Sequence, residues 1–412
     1  MIDLALLREH PERYIALLQK KDPFYEAQQL FELDKQVRSI RSEVETLRYS
    51  KNDLAKQAQS GITPEIREKS IQVGQGLKAK EQELIEVETQ FKNHYLRAPN
   101  IPQEDLPVGN KEANKVVKEW GKKPTFTFEP KHHLDVAEPA GWLDFASATV
   151  MTGSNFALYK GDAVKLMYAL TMLMLRNNIK HGYEPVLPPY LVNEESLTVA
   201  SNFPKFKDQV FAVTEDKLYL TPTAEVNLAN MYRNQIIPAN ELPIRMTAWT
   251  SCFRREAGGY GAHERGLIRM HQFEKVELYA ICEPQNANNE LDRMVACAED
   301  ILQQLGLHYR VSLLATQDCS FASARTYDIE AWLPGQKSYY EVSSCSNCTD
   351  FQARRGLIRY KKSQDSKPEL INTLNGSSLA LSRLMVAIIE TYQQADGTIA
   401  IPEILKKDSL FA

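Results

Sequence analysis

A chain of 412 residues, 43% of them hydrophobic, can build two or three domains around a substantial core. Its formal charge of -4 excludes a protein that coats nucleic acid by bulk charge, though not one that reads RNA locally. Six cysteines are sparse for this length and no segment nears the roughly 18 apolar residues of a membrane span, so the expectation is cytoplasmic, with no membrane attachment.

The first quarter carries a heptad seam. Leu30, Leu33, Val37, Ile40, Val44, Leu47 and Leu54 recur at spacings of three and four, with Lys51 as a polar interruption. The seam breaks at SGITPE, where Gly61 and Pro64 interrupt helix and Thr63 is placed to cap the next one. It resumes at Val73, Leu77, Leu84, Val87 and Phe91. The pattern predicts an antiparallel two-helix arm of about 50 Å, at roughly 1.5 Å per residue. Interspersed acids and bases suit either a solvated exterior or a recognition surface. Pro99, Pro102 and Pro107 then punctuate a linker, which predicts domains over 1–104 and 105–412.

Beyond the linker, QVFAVTEDKLYL, LPIRMTAWT, FEKVELYAI and KSYYEVSS read as strands. Helical segments are expected near Asp162–His181, Asn288–Leu305 and Leu379–Gln393. The spacing lacks regular βαβ units and favours an α+β domain with an antiparallel sheet. No Walker pattern or GxGxxG after a strand is present, so the common nucleotide folds are unsupported.

FRREAGGYGAHERGLIRMHQFEKVE, from Phe253 to Glu277, sets four glycines and many charges between two strand-like segments. Arginines such as Arg254 and Arg383 offer planar forks that could hold phosphates, yet salt bridges to Glu256 or Glu341 explain them equally well by residue type. Glu256 and Glu277 could accept donors from an amine or adenine. The CSNC run (Cys345, Cys348) supplies two of the three or four ligands zinc needs, and structural thiols are the better reading. His271, between strand-like residues, suits a site position or a hydrogen-bonded core position equally.

These motifs, in their order, resemble bacterial seryl-tRNA synthetases, a family of class II aminoacyl-tRNA synthetases, over essentially the whole chain. HGYEPVLPPYLVN resembles motif 1. CFRREAG with RGLIRMHQFEKVE resembles motif 2, and LNGSSLALSRLMVAIIETYQQADG resembles motif 3 with Thr391 where asparagine is common. TPTAEV, YDIEAWLP and EVSSCSNCTDFQARR complete the match. Met270 departs from a commoner glutamine, and Arg255 fills a variable position.

The resemblance implies residue roles. Thr223, Ala224, Glu225, Glu277 and Ser377 would surround L-serine. Arg254 would clamp the α-phosphate of ATP, Glu256 meet the adenine edge, Phe273 stack on the ring and Arg383 hold the γ-phosphate. Arg255, Val342 and Ser343 would belong to the ATP site, with Glu341 and Ser344 also on its Mg²⁺ side. The family activates serine as seryl-adenylate and transfers it to the 3′-terminal ribose of tRNA(Ser), and to tRNA(Sec) where present. It works as a homodimer whose helical arm meets tRNA, with Arg38, Arg41, Arg48, Lys51, Lys56, Lys78 and Lys80 as candidate contacts here. Two rivals remain at this stage: a paralogue that acylates a carrier protein, which would not need the arm, and an RNA-binding scaffold, which would not need the complete set of site residues.

Overall fold

The computed structural model describes residues 1–257 and 266–411. It divides into two compact units, Met1–Pro99 and Asn100–Ala412. This boundary falls five residues before the expected 104/105, because Asn100 is already bonded into the second unit. Its Nδ2 donates to the carbonyls of Ala322 and Cys348, each at 2.8 Å.

In the first unit, short helices Leu4–Glu9 and Pro11–Lys21 precede the two long helices Ala27–Gln59 and Pro64–Tyr95. Thr63 caps the second long helix, its hydroxyl accepting from Ile66 N–H at 3.2 Å. The seam is buried near its base at Leu30, Leu33, Val37, Ile40 and Val44, and again farther along the second helix at Leu77. Leu47, Leu84 and Val87 are only partly covered. Arg8 and Arg38 both bind buried Asp34, tying the base of the arm to the first helix.

The second unit is built on an eight-stranded sheet. Its spatial order is Lys115–Trp120, Tyr309–Leu313, Arg325–Leu333, Ser338–Asn347, Asn372–Ala380, Gln272–Cys282, Ile244–Phe253 and Glu184–Pro185. All neighbours are antiparallel except the last pair. One face packs on helices Asp162–Lys180, Ala287–Gln304 and Leu381–Tyr392, the three helical segments expected from sequence. Gly376 is needed for that packing. A Cβ there would come within 2.7 Å of Met294 sulfur and 2.9 Å of Cys345 sulfur.

QVFAVTEDKLYL differs from the single strand its pattern suggests. It folds back as Ala212–Val213 and Leu218–Leu220 in a separate three-stranded sheet. The polar TEDK run makes the turn, with Lys217 at φ +55°.

Strand alternation decides what reaches the other face of the large sheet. On Gln272–Cys282, Val276, Leu278 and Ala280 enter the helix-covered core, so Phe273, Lys275 and Glu277 point the opposite way. That opposite face holds the cleft.

Candidate active site

The cleft has a volume of about 300 Å³ and is lined by four carboxylates, Glu225, Glu256, Glu277 and Glu341, and four cations, Arg254, Arg269, Lys275 and Arg383. Phe273, Ser344, Asn375 and Ser377 complete much of the wall. Two register shifts bring residues of opposite parity together here. A shift between Ile329 and Glu330 makes Val342 the extra residue on the strand Ser338–Asn347, so Glu341 and Ser344 share a face. A second, at Ser378, does the same for Ser377 and Ala380.

At one end the polar groups converge on Thr223. Its hydroxyl caps the helix Ala224–Asn230, donates to Glu277 Oε2 at 3.0 Å and accepts from Lys275 Nζ at 2.8 Å. Lys275 also pairs directly with Glu277, and both side chains are buried. Glu225 Oε1 accepts from Gln352 at 2.7 Å and Asn375 at 2.9 Å. Tyr279 and Thr373 hold the other end of the Gln352 amide, which orients its donor toward Glu225. Burial, and then repulsion from Glu277, push the Glu225 carboxyl up to about 7, against the opposing pull of Lys275.

The rest of the lining carries three arginines, two of them paired with carboxylates. Arg254 follows the strand Ile244–Phe253, donates to Pro222 O at 3.3 Å and lies 5.2 Å from the centre of the Phe273 ring. Its backbone is pinned by His271, whose carbonyl accepts from Arg254 N–H at 2.9 Å and whose Nδ1 lies 3.0 Å from Arg254 O. Arg269 pairs with Glu256 at 2.7 Å. Arg383 reaches Glu341 at 3.1 Å and Ile268 O at 3.5 Å. The salt-bridge reading of Arg383 therefore holds for Glu341, in the lining of the cleft rather than a sealed core.

Not every expected residue presents its side chain to the cleft. Thr223 supports it from beneath, Ala224, Val342 and Ser343 are buried, and Arg255 is exposed outside the lining. Residues 258–265, the glycine-rich centre of the expected hairpin, lie outside the described residues. Sequence reasoning assigned no role to Lys275, Arg269 or Asn375, although each lies within a quoted motif. It also left Asp328 unassigned. That carboxyl sits opposite Ser344 across the strands, with buried Oδ1 lacking a hydrogen-bond partner. Burial and neighbouring Glu341 push it well above the usual carboxylate range, while Ser344 opposes that shift.

The CSNC cysteines do not build a metal site among the described residues. Cys345 faces the helix side with its thiol pushed up to about 12 by burial, and Cys348 sulfur accepts from Asn375 at 3.2 Å. Only His132, His133 and Glu390 gather three metal-capable side chains there, and they lie outside the cleft lining.

A pocket that gathers buried Glu225 and Glu277 with Arg254, Arg269 and Arg383 suits one ligand bearing ammonium and another bearing phosphates. Residues 206–392 match the tRNA synthetase class II core domain (G, H, P, S and T), and residues 1–102 match the seryl-tRNA synthetase N-terminal domain. The serine–tRNA ligase of Syntrophobacter fumaroxidans is 45% identical over 98% of both chains. The chain belongs to the seryl-tRNA synthetase family. Its reaction is ATP-dependent formation of seryl-adenylate from L-serine, followed by transfer of serine to tRNA(Ser).

The crystal structure of the Pyrococcus horikoshii seryl-tRNA synthetase complexed with ATP is similar throughout. It has 34% identity and a TM-score of 0.92, covering 99% of this chain and 98% of that one. A structure of A. aeolicus tRNASec in complex with M. kandleri SerRS shares the fold at 16% identity and a TM-score of 0.59. It covers 83% of this chain and 68% of the other. No described helix is long and apolar enough to cross a membrane.

Proposed function

We propose that the enzyme holds serine over Thr223, Glu225 and Glu277 and ATP between Arg254 and Arg383, so that both substrates meet on one face of the sheet. The observation that carries this reading is the grouping within one cleft of Glu225 and Glu277 beside Thr223, Arg254 beside Phe273 and Arg383 beside Glu341.

Glu225 takes the substrate ammonium and Glu277 its hydroxyl, with Ser377 closing the pocket beside them and Ala224 contributing backbone. Arg254 holds the α-phosphate, Phe273 stacks on adenine and Glu256 meets its edge. Arg383 exchanges its bond to Glu341 for the γ-phosphate. Arg255, Val342 and Ser343 flank this binding site. The serine carboxylate oxygen attacks the α-phosphorus, a new oxygen–phosphorus bond forms, and the bond to pyrophosphate breaks. Both reactants are anionic, so the arginines act by alignment and charge compensation. The 3′-terminal ribose hydroxyl of tRNA then attacks the adenylate carbonyl, AMP leaves, and the hydroxyl proton is released.

Glu341 and Ser344 fit a hard divalent cation, because Asp328, cross-strand neighbour of Ser344, adds a buried unpartnered oxygen beside them. Mg²⁺ bound there would offset phosphate charge when ATP enters.

The N-terminal unit serves tRNA through its arm. Arg41, Arg48 and Lys80 pair with Glu88, Glu81 and Glu43 across the two helices, and Arg38 pairs with Asp34. Lys51, Lys56 and Lys78 are exposed without an ion pair among the described residues, and they are the better phosphate contacts. A homodimer is supported by the exposed stripe Tyr168, Met172 and Ile179 on the helix Asp162–Lys180, joined by exposed Leu187. The tRNA(Sec) complex of the M. kandleri protein supports tRNA(Sec) as a second acceptor. Pyrophosphate exchange and tRNA charging, assayed with ATP and serine, test the reading. Serine-dependent exchange without charging of tRNA(Ser) would point instead to a carrier-type acceptor.

A further inference from the structure

Outside the cleft, one buried histidine joins the two elements that carry its nucleotide-facing cations. His133 opens the short helix His133–Ala137, and its side chain is fully buried beside equally buried Glu390. The His133 Nε2 accepts from Leu267 N–H at 3.4 Å. An accepting Nε2 places the ring proton on Nδ1. That nitrogen has no formed hydrogen bond and faces Glu390 Oε1 at 3.4 Å. The carboxylate is otherwise met by neutral donors, namely the N–H groups of His133 and Gly335 and the side-chain amide of Gln336. Glu390 therefore favours the tautomer that leaves Nε2 free to accept from Leu267.

The two ends of this link matter to the cleft. Glu390 and Arg383 lie two turns apart on the helix Leu381–Tyr392. Leu267 lies in the turn Gly266–Ile268, directly before the cleft-lining Arg269 and Met270. Approach at this joint is close. Gly266 has φ +74°, and a Cβ on it would come within 2.5 Å of His133 Nε2 and 2.7 Å of Leu134 Cδ2.

We propose that His133 is a positioning residue for ATP. It fixes the spacing between Arg383 on its helix and Arg269 on the return limb of motif 2, where Arg269 pairs with Glu256 of the outgoing limb. The inference rests on the reading that this cleft binds ATP. A metal ligated by His132, His133 and Glu390 is the competing use of the cluster. It would need the Nδ1 lone pair of His133, the position where the Leu267 bond places a proton.

The test compares full-length enzyme with His133→Phe, His133→Gln and Gly266→Ala by steady-state pyrophosphate exchange and single-turnover transfer from preformed seryl-adenylate. His133→Phe removes the acceptor. His133→Gln returns an oxygen near the position of Nε2, and Gly266→Ala pushes the same joint apart from the other side. The expected result is an ATP KM raised about tenfold in His133→Phe and Gly266→Ala, the scale set by losing one buried hydrogen bond. Serine KM and the transfer rate should stay within about twofold, and His133→Gln should recover most of the loss.

An unchanged ATP KM in folded Gly266→Ala and His133→Phe overturns the proposal. Equal loss of ATP binding, serine binding and transfer also overturns it, because that marks a merely structural histidine. An ATP KM that responds to a zinc-selective chelator at constant excess Mg²⁺, and is restored by zinc in wild type but not in His133→Phe, replaces it with the metal site. If Arg254→Ala and Arg383→Ala also leave ATP KM and adenylate formation untouched, the assignment of the cleft itself has failed.

Discussion

The Lys275 ammonium is buried against the Glu277 carboxylate, and Thr223 Oγ1 is hydrogen-bonded to both. Removing one partner of such a pair leaves an uncompensated buried charge, at a cost of about 3–5 kcal/mol. Lys275→Met is therefore expected to lower thermal stability and to weaken serine activation at pH 7. Lys275 also opposes the upward shift of Glu225, so its loss drives that carboxyl further toward the protonated form. Partial recovery of serine activation above pH 8 checks this. A loss independent of pH would assign Lys275 to packing alone.

Glu225 itself titrates at about 7, pushed up by burial and by Glu277. A protonated Glu225 offers no charge to the serine ammonium, so kcat/KM for serine should rise with pH through about 7. In Glu225→Gln the rising limb should disappear at a much lower plateau. Stability runs the other way. The folded-state value lies above the ordinary 4.5, so as pH rises from about 4.5 to 7 the unfolded chain releases this proton first. The contribution is present below 4.5 and is lost as pH passes 7. Denaturation of wild type and Glu225→Gln across that window measures it.

Arg254→Ala should slow seryl-adenylate formation by about 100-fold at saturating ATP, the usual effect of losing one aligned donor to developing charge. Binding of tRNA should be unaffected. Arg383→Ala should give a comparable loss with little change in melting temperature, since its partners in the cleft are the Glu341 side chain and two backbone carbonyls. Rapid-quench measurement of the adenylate checks both.

The arm can be shortened where its packing thins. Replacing residues 47–82 by a short turn removes Leu77 but keeps Asp34 with its arginines and the buried Leu30, Leu33, Val37, Ile40 and Val44. Serine-dependent pyrophosphate exchange should persist while charging of tRNA(Ser) falls severely. A triple Lys51→Ala, Lys56→Ala and Lys78→Ala variant should weaken tRNA binding and reduce its salt dependence by up to about three phosphate contacts. Titration of tRNA binding across salt concentrations checks this.

The arm was legible because leucines and valines at three-and-four spacing, interrupted at Gly61 and Pro64, leave one arrangement for two helices. The large sheet was legible in outline because LPIRMTAWT and FEKVELYAI are short runs rich in strand-forming residues, and they pair antiparallel. Gathering the cleft needed tertiary information. Glu341 and Ser344 stand three apart, a spacing that puts side chains on opposite faces of a regular strand, and only the extra residue at Val342 reunites them. Lys275 looked like an alternating strand residue until its contacts with Thr223 and Glu277 appeared. The link from Glu390 through His133 to Leu267 spans three distant segments, and no local pattern announces it.

The most direct measurement of the central assignment is amino-acid-dependent exchange of labelled pyrophosphate into ATP, without tRNA, by the intact enzyme and by Glu277→Gln. Serine should support exchange, and alanine should fall at least about 100-fold lower, because it leaves the hydroxyl-binding groups unpaired. Glu277→Gln should lose most serine-dependent exchange while remaining folded. Exchange supported equally by alanine, or serine exchange untouched by Glu277→Gln, would contradict the placement of serine over Thr223, Glu225 and Glu277.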